Sequence, residues 1–322
     1  MRALRSVFTR FAEDSRTAPD LGAVHCLLGI LLKRGRVPPA SRAEKEKGPD
    51  TVLEGQLSTL MFDPGCAYGL RESMNHLHRT ATLARDRLSV DAWRTLQRLR
   101  SESGWRRRRA GLLSGRLEIG DVLDLLSDAI RTMAAFSGME MENMTRNHAW
   151  RFVNMGRRLK RALDTTLLLR RLLARGDPEE NASLSLLLEL ADSFMTYRSR
   201  YMATPALAPV FDLLLLDEIN PRSVGFQIAA LAGHIDLLPR DHDVPVRGED
   251  QRIVLALLTE LRLADIATLC QTNKDQKRPA LNQLLGRVHR ELPHLSEVIA
   301  STYFAHAEQR RAPDVLRHQP VT

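Results

Sequence analysis

Cysteine is scarce in this chain, which has only Cys26, Cys66 and Cys270. An odd number, spread far apart and without a CxxC pair, excludes a disulfide framework and a zinc knuckle and fits a reduced, cytoplasmic protein. Long apolar runs are lacking too. The leading candidates, residues 184–190 and 213–216, are cut or flanked by Glu189, Asp212 and Asp217, well short of the roughly 20 residues a membrane span needs. The start, MRALRSVFTRFAED, sets arginines among its apolar residues and so has no continuous signal-peptide core. There is no GxxxxGK or GxGxxG loop to cradle phosphates and no serine in GxSxG, so neither a nucleotide site nor a nucleophile elbow is recognisable. Convincing strand-like alternation is absent.

What is present is helical. The 322 residues are 43% apolar, enough to bury a sizeable core. Their periodicity predicts an all-α protein, a single large helical bundle of about ten to twelve helices with no sheet. Residues 1–306 read as one domain and 307–322 as a flexible tail. Basic residues outnumber acidic ones by 47 to 39, a net charge of +8, and only six of the basic ones are lysine. That balance permits binding to phosphates, nucleic acid or acidic proteins without selecting among them.

The longest stretch that reads as one helix is residues 144–175, MTRNHAWRFVNMGRRLKRALDTTLLLRRLLAR, and the rest is read as folding around it. Phe152, Met155, Leu159, Leu163 and Leu167 recur at three- and four-residue spacing and predict a core face. Beside it Arg146, Trp150, Asn154, Arg157 and Arg161 form a second stripe. Arginines next to a core face need acceptors, from facing helices or from an anionic ligand, because a half-buried unpaired charge is costly. Trp150 is expected to be substantially buried where helices cross. Gly176-Asp177-Pro178 ends the helix.

Further helices are expected over residues 3–11, 21–32, 51–62, 70–86, 89–100, 117–133, 182–202 and 205–216, with Ser89 as an N-cap. Asn220-Pro221-Arg222-Ser223 opens another with proline in its first turn, and residues 248–269 and 279–304 close the chain, the last kinked or split at Pro293. Residues 34–50 and 234–248 read as loops. Glu118, Asp121, Asp124 and Asp128 share one helix face. A solvated stripe or pairing with arginines accounts for them without a divalent cation. After Trp105, the basic patch Arg106, Arg107, Arg108 and Arg109 reads as a solvated helix end, with a phosphate or acidic-partner contact as the alternative. His76 and His78 point in different directions on a helix. Glu291 and His294 have the spacing of a di-iron ligand pair, but Pro293 lies inside it and no second copy exists, so no metal and no cofactor are expected.

MTRNHAWRFVNMGRRLKRA, taken with RESMNHLHRTATLARDRLSVDAWRTLQRL, YRSRY and NPRSV, resembles the bacterial alpha-E domain family, from Met1 to about His306. The resemblance implies an all-helical domain usually fused to, or encoded beside, a circularly permuted ATP-grasp ligase, often near a transglutaminase-like peptidase. Arg146, Trp150, Gly156, Arg157 and Arg161 keep the family pattern. Lys160 replaces the glutamate before the arginine, His148 replaces an acidic residue, and the first glutamate-arginine helix is expected to precede Met1.

Two functions of different class follow. In the first the chain is a non-catalytic helical accessory or scaffold of an ATP-grasp-type amide or peptide ligase system, with the ligase and a transglutaminase-like protein as partners. It would help to position an anionic peptide or amino-acid substrate through Arg146, Trp150, Arg157, Arg161, Arg198, Arg200 and Arg222, since a guanidinium binds carboxylates bidentately and stays charged. In the second it is a stand-alone enzyme acting on a carboxylate or phosphate substrate through the arginine stripe, with His148 as acid/base. Two carboxylates of the family pattern are missing, which favours the first. Nucleic-acid binding through Arg106–Arg109 rests on charge alone and is not expected.

Overall fold

The computed structural model describes residues 1–12, 18–38, 49–99, 119–176, 180–240 and 246–304. The basic patch Arg106–Arg109, Glu118, residues 241–245 of the second loop and the tail 307–322 lie outside them. The described residues are all-α: fourteen α-helices, twelve of them eight residues or longer, and no sheet. One isolated antiparallel bridge, Arg175 with Lys277, is the extended pairing among them. The chain divides into two compact units, Met1–Trp150 and Arg151–Thr322.

In the first unit the long helix Ile119–Asn143 is the platform on which Arg2–Ala12 and Val90–Leu99 both pack. Leu4, Val7 and Phe8 are buried, as are Val122, Leu125 and Leu126 on the platform. A second cluster joins Ala81, Ala92, Leu96 and Phe136, with Trp93 and Met133 packed against it. Ser89 caps Val90–Leu99 as expected, its Oγ accepting the Ala92 N–H at 3.2 Å. Asp121, Asp124 and Asp128 are exposed, and Asp128 pairs with Arg131 one turn on at 2.5 Å. The acidic face is therefore a solvated stripe.

In the second unit the closest helix packing does not lie on the central helix. It joins Glu249–Arg262 to Val224–Asp236 on one side and to Pro279–Tyr303 on the other. Ile228, Leu231, Ile235, Leu285, Val288 and Leu292 are fully buried there. Arg240 grips the buried Asp250 with both terminal nitrogens, at 3.2 and 2.8 Å.

Several helix ends differ from the sequence reading, each for a local reason. The central helix runs His148–Leu173, because Asn147 Oδ1 caps it by accepting the Trp150 N–H at 3.2 Å. Its buried face is Met155, Leu159, Ala162, Thr166, Leu169 and Leu173, while Phe152, Leu163 and Leu167 are half-buried flanks. The helix expected over 182–202 is two, Glu180–Leu190 and Phe194–Tyr201. Asp192 adopts a left-handed conformation, φ 54°, and the Ser193 N–H turns back to the Leu188 carbonyl at 2.9 Å. Residues 248–269 likewise split, because Asp265 caps a new short helix, Ile266–Cys270, by accepting the Thr268 N–H at 2.7 Å. Pro221 lies ahead of Val224–Asp236, whose N-cap is Ser223. Pro279–Tyr303 continues unbroken through Pro293.

Candidate functional site

The arginines singled out in the sequence do not form one stripe. Arg146 sits in the turn before the central helix, in the first unit. Its guanidinium lies over the Trp150 ring, 4.4 Å from the centroid, and donates to the Met141 carbonyl. Trp150 is half-buried rather than enclosed, since its ring faces the exposed Arg146 across the first turn. A cation–π contact holds the cation over the ring while leaving it in solvent. Among the described residues Arg146 has no carboxylate partner.

Arg157 and Arg161 are half-buried on the central helix, His148 is exposed, and Lys160 faces outward. The Lys160 ammonium reaches both oxygens of Asp164 one turn on, at 2.6 and 2.5 Å. The position that carries a glutamate in the family pattern thus holds a pair of reversed direction on the same helix.

Arg158, adjacent to the residues the sequence points to, ties this helix to Val224–Asp236. Its Nε donates to Asn154 Oδ1 at 2.9 Å and its Nη1 to Gln227 Oε1 at 3.2 Å, and its guanidinium lies 4.9 Å from the centre of the Phe226 ring. Asn154 is 2% exposed and Gln227 0%. The His234 Nε2 sits 3.1 Å from Asn154 Oδ1, and Gln227 Nε2 donates to the Pro221 carbonyl at 2.7 Å. Burial, then the charge of Arg157, lowers the Arg158 pKa. Burial, then the charges of Arg158 and Arg151, pushes the His234 imidazole below its ordinary value. Sequence spacing touched this group only at Asn154, read on the stripe of Arg157 and Arg161; Arg158, four residues after it, was not singled out.

Arg198, Arg200 and Arg222 belong to a separate, largely structural cluster. Arg200 pairs with Asp217 at 2.7 Å, and Arg222 with Asp192 at 3.0 Å. Arg198 stacks on Phe194, 4.9 Å from the ring centre. Asp217 is the hub: Oδ1 accepts the N–H groups of Ile219 and Asn220, and its carbonyl accepts Ser223 Oγ. Burial pushes its carboxyl up, but the Ile219 N–H and the Arg200 guanidinium outweigh that and hold it below the ordinary value. Tyr201 donates to Asp212, and burial followed by that carboxylate pushes its phenol up to about 12. Gly225 makes the crossing possible, since a Cβ there would lie 2.5 Å from the Leu216 carbonyl oxygen.

Among the described residues no group of three or more His, Cys, Asp or Glu is placed to hold a metal ion, and no helix is long and apolar enough to cross a membrane. His294 pairs with Glu249 at 3.3 Å.

The chain is similar to uncharacterized proteins of Mycobacterium tuberculosis and Mycobacterium bovis, 28% identical over 299 residues and 92% of its length. It spans about a third of those relatives, 33% of each. No solved structure matches it. The sequence profile of Alpha-E, described as a predicted alpha-helical domain with a conserved ER motif, matches residues 1–304. With that match and an all-helical architecture over the same span, the chain belongs to the Alpha-E family.

Proposed function

We propose that this chain is a non-catalytic accessory domain of an ATP-grasp-type amide or peptide ligase system and helps to position an anionic peptide or amino-acid substrate. The observation that carries this reading is Arg146, an exposed guanidinium held over the Trp150 ring without a carboxylate partner among the described residues. A cation held in this way presents a ready fork to a carboxylate, and less side-chain freedom is lost on binding than for a floppy arginine. The relatives carry sequence well beyond the matching third, which suits a domain that works beside another. The ligase association and a transglutaminase-like neighbour follow from the family resemblance.

The test is to mix the chain with the ATP-grasp protein encoded nearest to it and to follow ATP-dependent amide formation with an acidic peptide. Binding in the micromolar range is expected. Arg146→Ala should raise KM for the acidic peptide about tenfold with little change in kcat, the signature of lost ground-state binding. Failure of the two proteins to associate, or an equal KM for the variant, would overturn the reading.

A further inference from the structure

We propose that Arg158 and Arg151, framed by Asn154, Gln227 and His234, form an oxyanion site for a carboxylate or phosphate group. The site lies within the second unit, where the central helix meets Val224–Asp236.

Three other sheltered arginines of this unit each hold a carboxylate. Arg278 holds Glu180 at 2.6 Å, Arg240 holds Asp250 at 2.8 Å and Arg222 holds Asp192 at 3.0 Å. Arg158 is also withdrawn from solvent, yet its acceptors are two neutral amides, and no carboxylate reaches it among the described residues. A guanidinium carries five N–H donors. Asn154 and Gln227 each engage one, which leaves three, two of them on the Nη2 edge, for an incoming oxyanion.

The orientation of that edge is fixed. Both amides are buried, and each is tied again, Gln227 to the Pro221 carbonyl and Asn154 to His234. The Phe226 ring supports the guanidinium plane. Such fixing by neutral groups sets direction without neutralising charge, whereas a carboxylate would do both. Arg151 lies seven residues before Arg158 on the same helix face and adds a second positive charge, which acts on His234 together with that of Arg158. The local surplus of positive charge is what an incoming oxyanion would balance.

This site is independent of the ligase association: a chain that docks on no ligase can still bind an oxyanion here, and a docking chain can lack the site. The experiment is an NMR titration of the isotope-labelled full chain, following the Arg158 Nε–H and the His234 ring. Sodium acetate, sodium glutamate and sodium phosphate serve as probes, with sodium chloride holding ionic strength constant. A saturable shift of both groups is expected with at least one probe, and the probe that saturates identifies carboxylate or phosphate as the source. Arg158→Lys keeps the charge but loses the fork and should weaken binding about tenfold or more. Arg151→Gln, which alters no hydrogen bond described above, should weaken it several-fold and serves should the Arg158 variant fail to fold. Shifts that merely follow ionic strength, or saturation unchanged in the Arg151 variant, would overturn the proposal.

Discussion

Lys160 shows how a single side chain reverses an expectation drawn from pattern. Because this position carries a glutamate in the family pattern, Lys160→Glu could be expected to relieve positive charge around the central helix. The structure gives Lys160 its own partner, Asp164, at i,i+4 with both groups partly exposed. A glutamate there would lose that pair and face a like charge one turn away, each worth a few tenths of a kcal/mol. Lys160→Glu should therefore lower stability by about 0.5–1 kcal/mol. The drop in melting temperature should shrink as salt is added. An increase in Tm at low salt would show that the surplus of arginines outweighs the pair. Trp150 is a second residue whose role changes, from an expected core anchor to a half-buried platform for Arg146. Arg158 was not legible at all. Its acceptor Gln227 lies 69 positions along the chain, and nothing in an Arg-Arg pair tells which member turns inward.

At the scale of elements, the helices themselves were legible because apolar spacing is a property of neighbouring residues. Their ends were less so. Ser89 declared itself, but Ser223 caps a helix that the sequence opens at Pro221, Asp265 stands inside a run that reads as continuous helix, and Asp192 stops one by a backbone conformation that pattern alone does not mark. The least legible terminus is that of the central helix, where Gly176 is only part of the stop. Arg278, 4% exposed, donates Nη1 to the carbonyls of Leu173 and Arg175 at 2.8 and 3.0 Å, and Asn282 Nδ2 donates to Ala174 at 3.0 Å. These bonds satisfy carbonyls that a helix leaves unpaired at its end. Arg278→Met fills the space but leaves Glu180 without its counter-charge and two carbonyls without their donor, and should cost about 3–5 kcal/mol. Chemical denaturation of the variant checks this. A loss below about 1 kcal/mol would mean that water replaces the guanidinium.

For the whole molecule, acid sensitivity follows from groups held away from their ordinary ionisation. Burial, followed by nearby arginines, lowers the pKa of His234 and of His289 from 6.5. Between the lowered folded values and 6.5 the unfolded chain binds more protons, so stability is full above that window and declines as pH falls through it. Asp217 and Glu218, lowered from 3.8 and 4.5, extend the decline further into acid. Urea midpoints should fall from about pH 7.5 to about pH 5.5, and a double variant His234→Asn, His289→Asn should flatten that slope. An unchanged slope would place the acid response elsewhere.

The clasp at Arg278 also sets an order of events during synthesis. Leu173 and the arginine that caps its carbonyl are 105 residues apart, so the end of the central helix leaves the ribosome well before its cap exists. At about 5–20 residues per second, the interval is on the order of 5–20 s. Throughout it the last turn of the nascent helix presents carbonyls without their permanent donors, and a chaperone or a protease would meet that turn first.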